Sequence, residues 1–214
     1  MEIRLDHLVV AARTLEAGAA WLESRLGVPL SGGGRHEAMG THNRLLSLGP
    51  ARYLELIAID PEAAGPGRRR WFDLDAPAMR ERLEVGPALI TWVVRAERIE
   101  TALAATTGGK AQVLAMSRGA YRWRIGVPES GALALAGTSP TVIEWLTLAP
   151  AGALPDAGCR LEKLTLHHPE APGALAALRA AGLPPEEPVE ARRDGAHGLA
   201  ALVRTPRGIV EIRG

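Results

Sequence analysis

Apolar residues along the chain follow one pattern three times: a strand, a helix and three further strands. In the first copy, the run IRLDHLVVAA at residues 3–12 predicts a buried strand. The segment TLEAGAAWLESRLGV then repeats apolar residues at helical spacing until Gly27 stops the helix. RHEAMG, NRLLSLG and RYLELIAID follow as short segments separated by Gly and Pro, which is typical of strands joined by turns. The first copy is therefore predicted to be a βαβββ module.

The other two copies repeat this order. The second begins with ALITWVVRA, continues with the helix-like ERIETALAATTGG and ends with AQVLAMS, YRWRIGV and TVIEWLTLA. The third consists of RLEKLTLHH, APGALAALRAAGL, PVEARR, GLAALVRT and GIVEIRG. The repeat predicts an α+β fold of paired βαβββ modules. Residues 1–150 would form one domain of two modules, 1–61 and 87–150, joined by a loop insertion at 62–86, and residues 159–214 would form a third half-module.

Each copy places one polar residue in its first strand and one glutamate in its last strand. The first-strand residues are His7, Thr91 and Lys163, and the last-strand glutamates are Glu55, Glu144 and Glu211. Burying an imidazole or a carboxylate without a partner costs several kcal/mol or shifts its pKa. These residues are therefore either a metal or substrate site, or polar groups that satisfy each other inside the core. In the third copy, Lys163 and Glu211 are predicted to form an ion pair.

Strand alternation predicts which of these side chains share a face. In LDHLVV, His7 would share its face with Leu5 and Val9, and Asp6 would lie on the opposite face. In YLELIAI, Glu55 would share its face with apolar neighbours. Both faces of this sheet are therefore apolar, and both are expected to be covered.

The segment RHEAMGTHNR is the most polar and glycine-rich stretch beside a predicted strand. One interpretation is a substrate-facing loop, in which His36 acts as general acid or base, Thr41 lies beside it and Asn43 donates to a substrate carbonyl. The alternative is a hairpin with solvent-exposed histidines, in which Gly40 supplies an unusual backbone angle.

Tryptophans mark further positions on the strands. Trp123 either walls an apolar ligand cavity or packs in the core. Trp92 and Trp145 neighbour Thr91 and Glu144 in sequence, so they are expected to face the helices. The three arginines at 68–70 are either part of a solvated loop or a flap that meets an acidic ligand.

Composition narrows the function classes. The 214 residues carry a net charge of +1, so nothing indicates a nucleic-acid or membrane partner. The single cysteine, Cys159, suits a reducing compartment, and the N-terminus lacks the pattern of a signal peptide. We therefore expect a cytoplasmic protein, and the abundance of Ala, Arg, Gly and Pro favours a bacterial source. The chain contains no dinucleotide fingerprint, P-loop or nucleophile elbow.

The first module resembles the glyoxalase-like domain family of the vicinal oxygen chelate superfamily, which includes glyoxalases, bleomycin-resistance proteins and extradiol dioxygenases. The resemblance rests on the LDH start, the H…GT.N segment and the YLEL strand, and it covers about residues 3–150. It implies that two modules pair into a cup around a divalent metal.

The resemblance also implies the ligand positions. They fall on His7, Glu55, Thr91 and Glu144, of which threonine is a poor ligand. One imidazole and two carboxylates would suit Mn²⁺, Fe²⁺, Zn²⁺ or Ni²⁺ and leave positions open for substrate.

Two functions remain open at this stage. The first is a metal-assisted isomerase, lyase or dioxygenase acting on a small oxygenated molecule, with Glu55, Glu144 or His36 moving a proton and Thr91 and Trp123 contacting substrate. The second is a metal-free protein that binds or sequesters a small molecule without catalysis. The unpaired third module has an exposed sheet edge, which favours a homodimer or packing against the cup.

Overall fold

Two β-sheets, one of eight strands and one of four, form the framework of the protein. The computed structural model describes residues 2–106, 111–195 and 197–214. The first module consists of β1 (Ile3–Ala11), α1 (Leu15–Leu26), β2 (Ser31–His36), β3 (Thr41–Ser47) and β4 (Tyr53–Ile59). Helix α1 begins at the Thr14 cap, whose hydroxyl accepts from the Ala17 N–H, and ends at Gly27 with φ of 72°.

The second and third modules follow in the predicted element order. The insertion carries α2 (Pro77–Val85), and the second module consists of β5 (Ala88–Ala96), α3 (Ile99–Ala104), β6 (Gln112–Arg118), β7 (Tyr121–Val127) and β8 (Thr141–Trp145). The third module consists of β9 (Arg160–His167), α4 (Ala171–Ala180), β10 (Val189–Arg192), β11 (Gly198–Thr205) and β12 (Gly208–Arg213). Helix α3 lies in the predicted segment ERIETALAATTGG, whose last three residues, 107–109, lie outside the described residues. The predicted α+β fold of βαβββ modules is confirmed.

The eight-stranded sheet has the order β2-β3-β4-β1-β5-β8-β7-β6. In each of the first two modules the first strand pairs in parallel with the last. The antiparallel pairing of β1 with β5 joins these two modules. The sheet curls strongly into a half-barrel, and its edge strands β2 and β6 approach each other. We call its concave face the cup. No helix among the described residues is long and apolar enough to span a membrane.

Two apolar cores lie on opposite sides of this sheet. The core on the convex side joins the sheet to α1 and also contains residues of the third module such as Leu164 and Val203. The core on the concave side contains residues of both modules and of the insertion, among them Val9, Trp71 and Trp123. The third module therefore packs on the convex side and leaves the cup open to the insertion.

The third module has a different strand order from the other two, namely β10-β9-β11-β12. The first strand of this module, β9, lies between β10 and β11. The last strand, β12, pairs only with β11, so β11 separates β9 from β12. As a result Lys163 and Glu211 lie on either side of Leu202. Lys163 instead contacts Glu190 at 3.6 Å, and Glu211 accepts from Arg213 at 2.7 Å. The predicted Lys163–Glu211 ion pair is wrong.

A β-bulge in β1 changes which residues face the cup. The register with β5 shifts between Leu5 and His7, so Asp6 is the extra residue. Leu5 belongs to the convex core and Val9 to the concave core, so His7 and Leu5 do not share a face as simple alternation predicts. The bulge also buries Asp6 completely. The Asp6 carboxylate accepts from His7 Nδ1 at 2.7 Å and from Trp145 Nε1 at 3.1 Å.

Replacing Asp6 tests whether this buried carboxylate holds the centre of the sheet together. We expect Asp6→Ala to lower the free energy of unfolding by about 2–4 kcal/mol, because it leaves the buried His7 N–H and the partly buried Trp145 N–H without their acceptor. Urea denaturation measures the loss. The control is Asp156→Ala, which removes an exposed carboxylate paired with Arg160 and should leave the stability unchanged. Equal losses in the two variants would contradict the assignment.

Candidate ligand site in the cup

The cup contains a narrow cavity with room of about 30 Å³ for water-sized molecules, within about 370 Å³ of empty space that includes the solvent at its open mouth. Its polar wall comes from the first module and from the end of β6: His7, His36, Asn43, Tyr53, Glu55 and Arg118. Its apolar wall comes from the second module and from the insertion: Trp71, Phe72, Trp123, Ile125, Ile143 and Trp145. A mostly apolar hollow with a few convergent polar groups is typical of a small-molecule site.

His7 lies between two carboxylates. A carboxylate oxygen of Asp6 accepts from Nδ1, which fixes a hydrogen on that nitrogen and orients the ring. Nε2 lies 3.6 Å from Glu55 Oε2, beyond hydrogen-bond distance. The imidazole stacks on the Tyr53 ring with centroids 4.4 Å apart. Burial, together with the Asp6 and Glu55 charges, raises the pKa of Tyr53 well above its ordinary value, so the phenol stays neutral.

Asn43 connects the acidic and basic sides of the cavity. Its Nδ2 donates to Glu55 Oε1 at 2.5 Å, and its Oδ1 accepts from Arg118 at 2.8 Å and from the Gly34 N–H at 2.9 Å. These contacts fix the orientation of the amide. Asn43 therefore faces the cavity as predicted, but its donor group serves Glu55.

His36 is a neutral acceptor. Burial lowers its pKa to about 4, and the nearby Arg118 charge acts in the same direction. Nδ1 lies 3.1 Å from the Thr41 hydroxyl, and Nε2 lies 3.2 Å from an Arg118 nitrogen. Because Arg118 can only donate, Nε2 accepts and Nδ1 carries the hydrogen. Both ring nitrogens contact protein groups, so His36 offers no unengaged nitrogen to a ligand in this arrangement, and its role as general acid or base stays a prediction. Thr41 lies behind His36 and does not line the cavity.

The second module does not bring its two predicted residues to the cup. Glu144 lies on the convex side, where it accepts from the Ile99 N–H and from Arg124, each at 3.0 Å. The Thr91 hydroxyl donates to the Gly137 carbonyl at 3.1 Å. Neither residue lines the cavity. Glu144 therefore does not join His7 and Glu55, which corrects the predicted set of three ligands and the catalytic role of Glu144.

The alternation of side chains along β8 explains why Glu144 lies away from the cup. Val142 packs in the convex core and Ile143 in the concave core, so Trp145 faces the cup and Glu144 faces α3. The sequence TVIEW has large apolar residues in both phases, so alternation alone could not decide between them. The prediction that Trp145 faces the helices is therefore wrong. Trp92 faces the convex core as predicted, and its indole donates to the Thr138 carbonyl at 2.9 Å.

The polar groups of the cup do not fit a divalent metal ion. Across residues 2–106, 111–195 and 197–214, no three His, Cys, Asp or Glu side chains are placed to share a metal. His7 and Glu55 supply two donors, and the Asn43 carbonyl oxygen already accepts from a cation and a backbone N–H. A structural or catalytic metal site generally needs at least three protein ligands.

The insertion covers the apolar end of the cup. Trp71 stacks on Phe72 with centroids 5.3 Å apart and presents its ring to the edge of His36 at 5.1 Å. Phe72 and Asp73 both adopt positive φ, 60° and 57°. Non-glycine residues in this region are strained and are held by their surroundings. Here Asp73 donates its N–H to the Gly131 carbonyl and accepts from the Leu133 N–H.

The arginines of the insertion hold this segment in place. Arg70 pairs with Asp75 at 2.7 Å, and Arg68 donates to the Pro128 carbonyl at 3.3 Å. Neither lines the cavity, so the interpretation as a flap that presents arginines to a ligand is not supported. The aromatic residues that follow the arginines form the cover instead.

Sequence reasoning missed four residues of this site: Asp6, Trp71, Phe72 and Arg118. Asp6 is the extra residue of a bulge that alternation does not predict, and the aromatic pair lies in a segment without periodicity. Arg118 ends an ordinary amphipathic strand. Trp123 does wall the cavity, as one of its two interpretations predicted.

Several solved structures are similar to this chain at low sequence identity. A hypothetical protein from Staphylococcus aureus is 13% identical, with a TM-score of 0.59 over 100% of this chain and 87% of that chain. A methylmalonyl-CoA epimerase from Mycobacterium tuberculosis is 18% identical, with a TM-score of 0.41 over 70% of this chain and 91% of that chain. A Streptomyces coelicolor methylmalonyl-CoA epimerase in complex with 2-nitronate-propionyl-CoA is 16% identical, with a TM-score of 0.42 over 68% and 96%. No curated protein matches the sequence.

One family model matches most of the chain. It is described as a glyoxalase-like domain and covers residues 5–182, from β1 through α4. The match therefore extends beyond the residues 3–150 that carry the sequence resemblance and includes the start of the third module. The curled eight-stranded sheet, with the first and last strands of each module paired in parallel, is the arrangement that this family predicts. The chain belongs to the glyoxalase-like domain family.

Proposed function

We propose that the protein binds a small oxygenated organic molecule in the cup, through its own side chains and without a metal ion. The observation that carries the proposal is the cavity itself, in which buried hydrogen-bonding groups face an aromatic wall. Polar groups in such a place are satisfied by protein, water or ligand. The Trp71 indole N–H is buried and has no hydrogen-bond partner among the described residues. A ligand oxygen would supply that partner.

The two walls offer complementary groups to such a molecule. Glu55 and His7 Nε2 accept hydrogen bonds, whereas Arg118 and Trp71 donate them. The rings of Trp123 and Trp145 lie 5.5 Å apart and provide an apolar surface for the body of the ligand. Oxygen-bearing groups would therefore bind at the first module and apolar groups at the second.

Proton transfer on the bound molecule is a second candidate function. Asp6 fixes the His7 ring with Nε2 toward Glu55 and the cavity, which is the arrangement that prepares an imidazole to accept a proton. His7 and Glu55 are then the groups that would receive a proton from the ligand. Glu144 and His36 have no such role in this proposal.

A ligand screen tests the proposed function. Small alcohols, ketones and carboxylic acids are screened by ligand-observed NMR against the whole chain. We expect some of them to bind, and we expect Ile143→Phe to weaken their binding by about tenfold, or 1.4 kcal/mol, because the added ring fills the cavity. The control is Leu148→Phe, which adds the same ring at a position 90% exposed. Equal binding to both variants, or no binding to the wild type, would contradict the proposal.

Metal titration tests the absence of a metal role. Adding Mn²⁺, Ni²⁺, Zn²⁺ or Fe²⁺ at about 1 mM should leave the melting temperature unchanged, because a ligand that does not bind the native state cannot stabilise it. Differential scanning fluorimetry of the wild type and of Glu55→Gln measures the effect. A metal-dependent rise in the wild type that disappears in Glu55→Gln would show that the cup does bind metal.

The neutral state of His36 predicts how stability depends on pH. The unfolded histidine takes up a proton near pH 6.5, whereas the folded one does so only near pH 4. The unfolded state therefore binds more protons between these values, and this contribution to stability is complete above pH 6.5 and is lost as pH falls toward 4. We expect a loss on the order of 3 kcal/mol in the free energy of unfolding. In His36→Gln this part of the pH dependence should vanish, and in the exposed control His197→Gln it should persist. Identical pH profiles for wild type and His36→Gln would refute the assignment.

A further inference from the structure

Arg118 reaches across the mouth of the cup from the edge of one module to the other. It ends β6, and one of its terminal nitrogens lies 2.8 Å from Asn43 Oδ1 and 3.2 Å from His36 Nε2, both in the first module. Gly34 on the facing edge strand permits this crossing, since a Cβ there would lie 2.9 Å from the Arg118 Cδ. The guanidinium is thus positioned at the cavity by two fixed acceptors.

Both of these acceptors are uncharged. Asn43 offers an amide oxygen, and burial keeps His36 neutral. In the part of the chain that the structure describes, Arg118 forms no ion pair with an acidic side chain, whereas Arg35, Arg70 and Arg124 each have one. A guanidinium has five N–H groups in a planar fork, and the two contacts to the first module use a single nitrogen. Among the described residues, the remaining N–H groups have no hydrogen-bond partner.

Trp71 is a second donor among the residues that line the cavity. Its side chain is only 3% exposed, its Nε1 has no hydrogen-bond partner among the described residues, and its ring contacts His36, which Arg118 also contacts. An indole N–H can only donate. The missing partner must therefore be an acceptor atom, such as a carboxylate or carbonyl oxygen.

Asn43 also lies between Arg118 and the Glu55 carboxylate on the polar wall. The amide donates to Glu55 and accepts from Arg118, and these two charged groups form no ion pair with each other. The Arg118 charge remains available to a ligand anion, and the Glu55 oxygens remain available to a ligand O–H or N–H. The cavity thus presents a cationic fork and an anionic acceptor on either side of a fixed amide.

We propose that the cup is selective for small α-hydroxycarboxylates. This inference rests on the proposed function and names the class of its ligand. The carboxylate binds the Arg118 fork and the Trp71 N–H, the hydroxyl donates to Glu55 or His7, and the apolar substituent packs on Trp123. Planar bidentate recognition by arginine and charge-assisted hydrogen bonds make this the strongest pairing that the cavity offers.

Mandelate and its analogues test the proposal on the full chain by calorimetry. Mandelate carries the carboxylate, the hydroxyl and an apolar ring, mandelamide lacks the charge, and phenylacetate lacks the hydroxyl. We expect mandelate to bind about tenfold more tightly than either analogue, because mandelamide lacks the charge that pairs with Arg118 and phenylacetate lacks the hydroxyl that donates to Glu55 or His7. On binding, the NMR signal of the Trp71 indole N–H, identified by its loss in Trp71→Phe, should move downfield.

Substitutions at Arg118 assign the selectivity. In Arg118→Gln, mandelate and mandelamide should bind with equal affinity, because the charge that distinguishes them is gone. The matched control is Arg122→Gln, an exposed arginine on the adjacent strand β7 that does not line the cavity and should leave the preference intact. If Arg118→Gln does not fold, Arg118→Lys provides the test: it should weaken mandelate binding but keep some preference for the acid.

The outcomes separate this inference from the proposed function. If mandelamide binds the wild type as tightly as mandelate, or if Arg118→Gln keeps the preference for the acid, the inference is wrong and the cup remains a site for small oxygenated molecules. If mandelate, mandelamide and phenylacetate all fail to bind, and the ligand screen also finds no binder that Ile143→Phe weakens, both are wrong.

Discussion

The β-bulge at Asp6 determines which side chains of the central strand reach the cup. Without it, strict alternation would place His7 on the same face as Leu5, and one of the two would face the wrong core. With it, two consecutive polar residues are both buried and contact each other, and the strand continues with its apolar residues correctly distributed on both sides. The extra residue also brings a carboxylate within reach of Trp145 on the second module. The bulge therefore positions the polar group of the cup and connects the two halves of the sheet at the same point.

A second polar connection joins the two edge strands of the half-barrel. The curled sheet brings β2 and β6 together, and Arg118 spans the gap to Asn43 and His36. Each of these two groups is fixed in turn, Asn43 by Glu55 and Gly34 and His36 by Thr41. A satisfied buried network of this kind favours a single arrangement, because any rearrangement would leave a polar group without its partner. The mouth of the cup is therefore shaped by hydrogen bonds, whereas its floor is shaped by packing.

Periodicity predicted the fold well because the elements of a βαβββ module are determined by local features of the sequence, namely the spacing of apolar residues and the turn residues. It left two interpretations open for Asn43 and for Trp123, and the structure agrees with the one that has them line the cavity, on the regular strands β3 and β7. It failed at β1, where a bulge leaves no mark on the pattern LDHLVV, and at β8, where either phase of TVIEW buries apolar residues. It could not find Arg118 or Trp71, because their roles depend on contacts between distant segments. The third module shows the same limit, since its element order was predictable and its strand order was not.

The two modules use equivalent strands for different purposes, and this asymmetry gives the cup a direction. In the first module, the polar residues of the first and last strands face the cavity as His7 and Glu55. In the second, Glu144 accepts from the first N–H of α3, and Thr91 donates to a carbonyl away from the cavity. Ile143 and Trp145 occupy the wall instead. A cup with four equivalent polar corners would surround a central ion, whereas a cup with one polar wall and one aromatic wall orients an amphipathic molecule between them. The second module presents an apolar surface where the first module presents polar residues. Arg118, at the edge of the second module, supplies a positive charge beside the acidic groups of the first module.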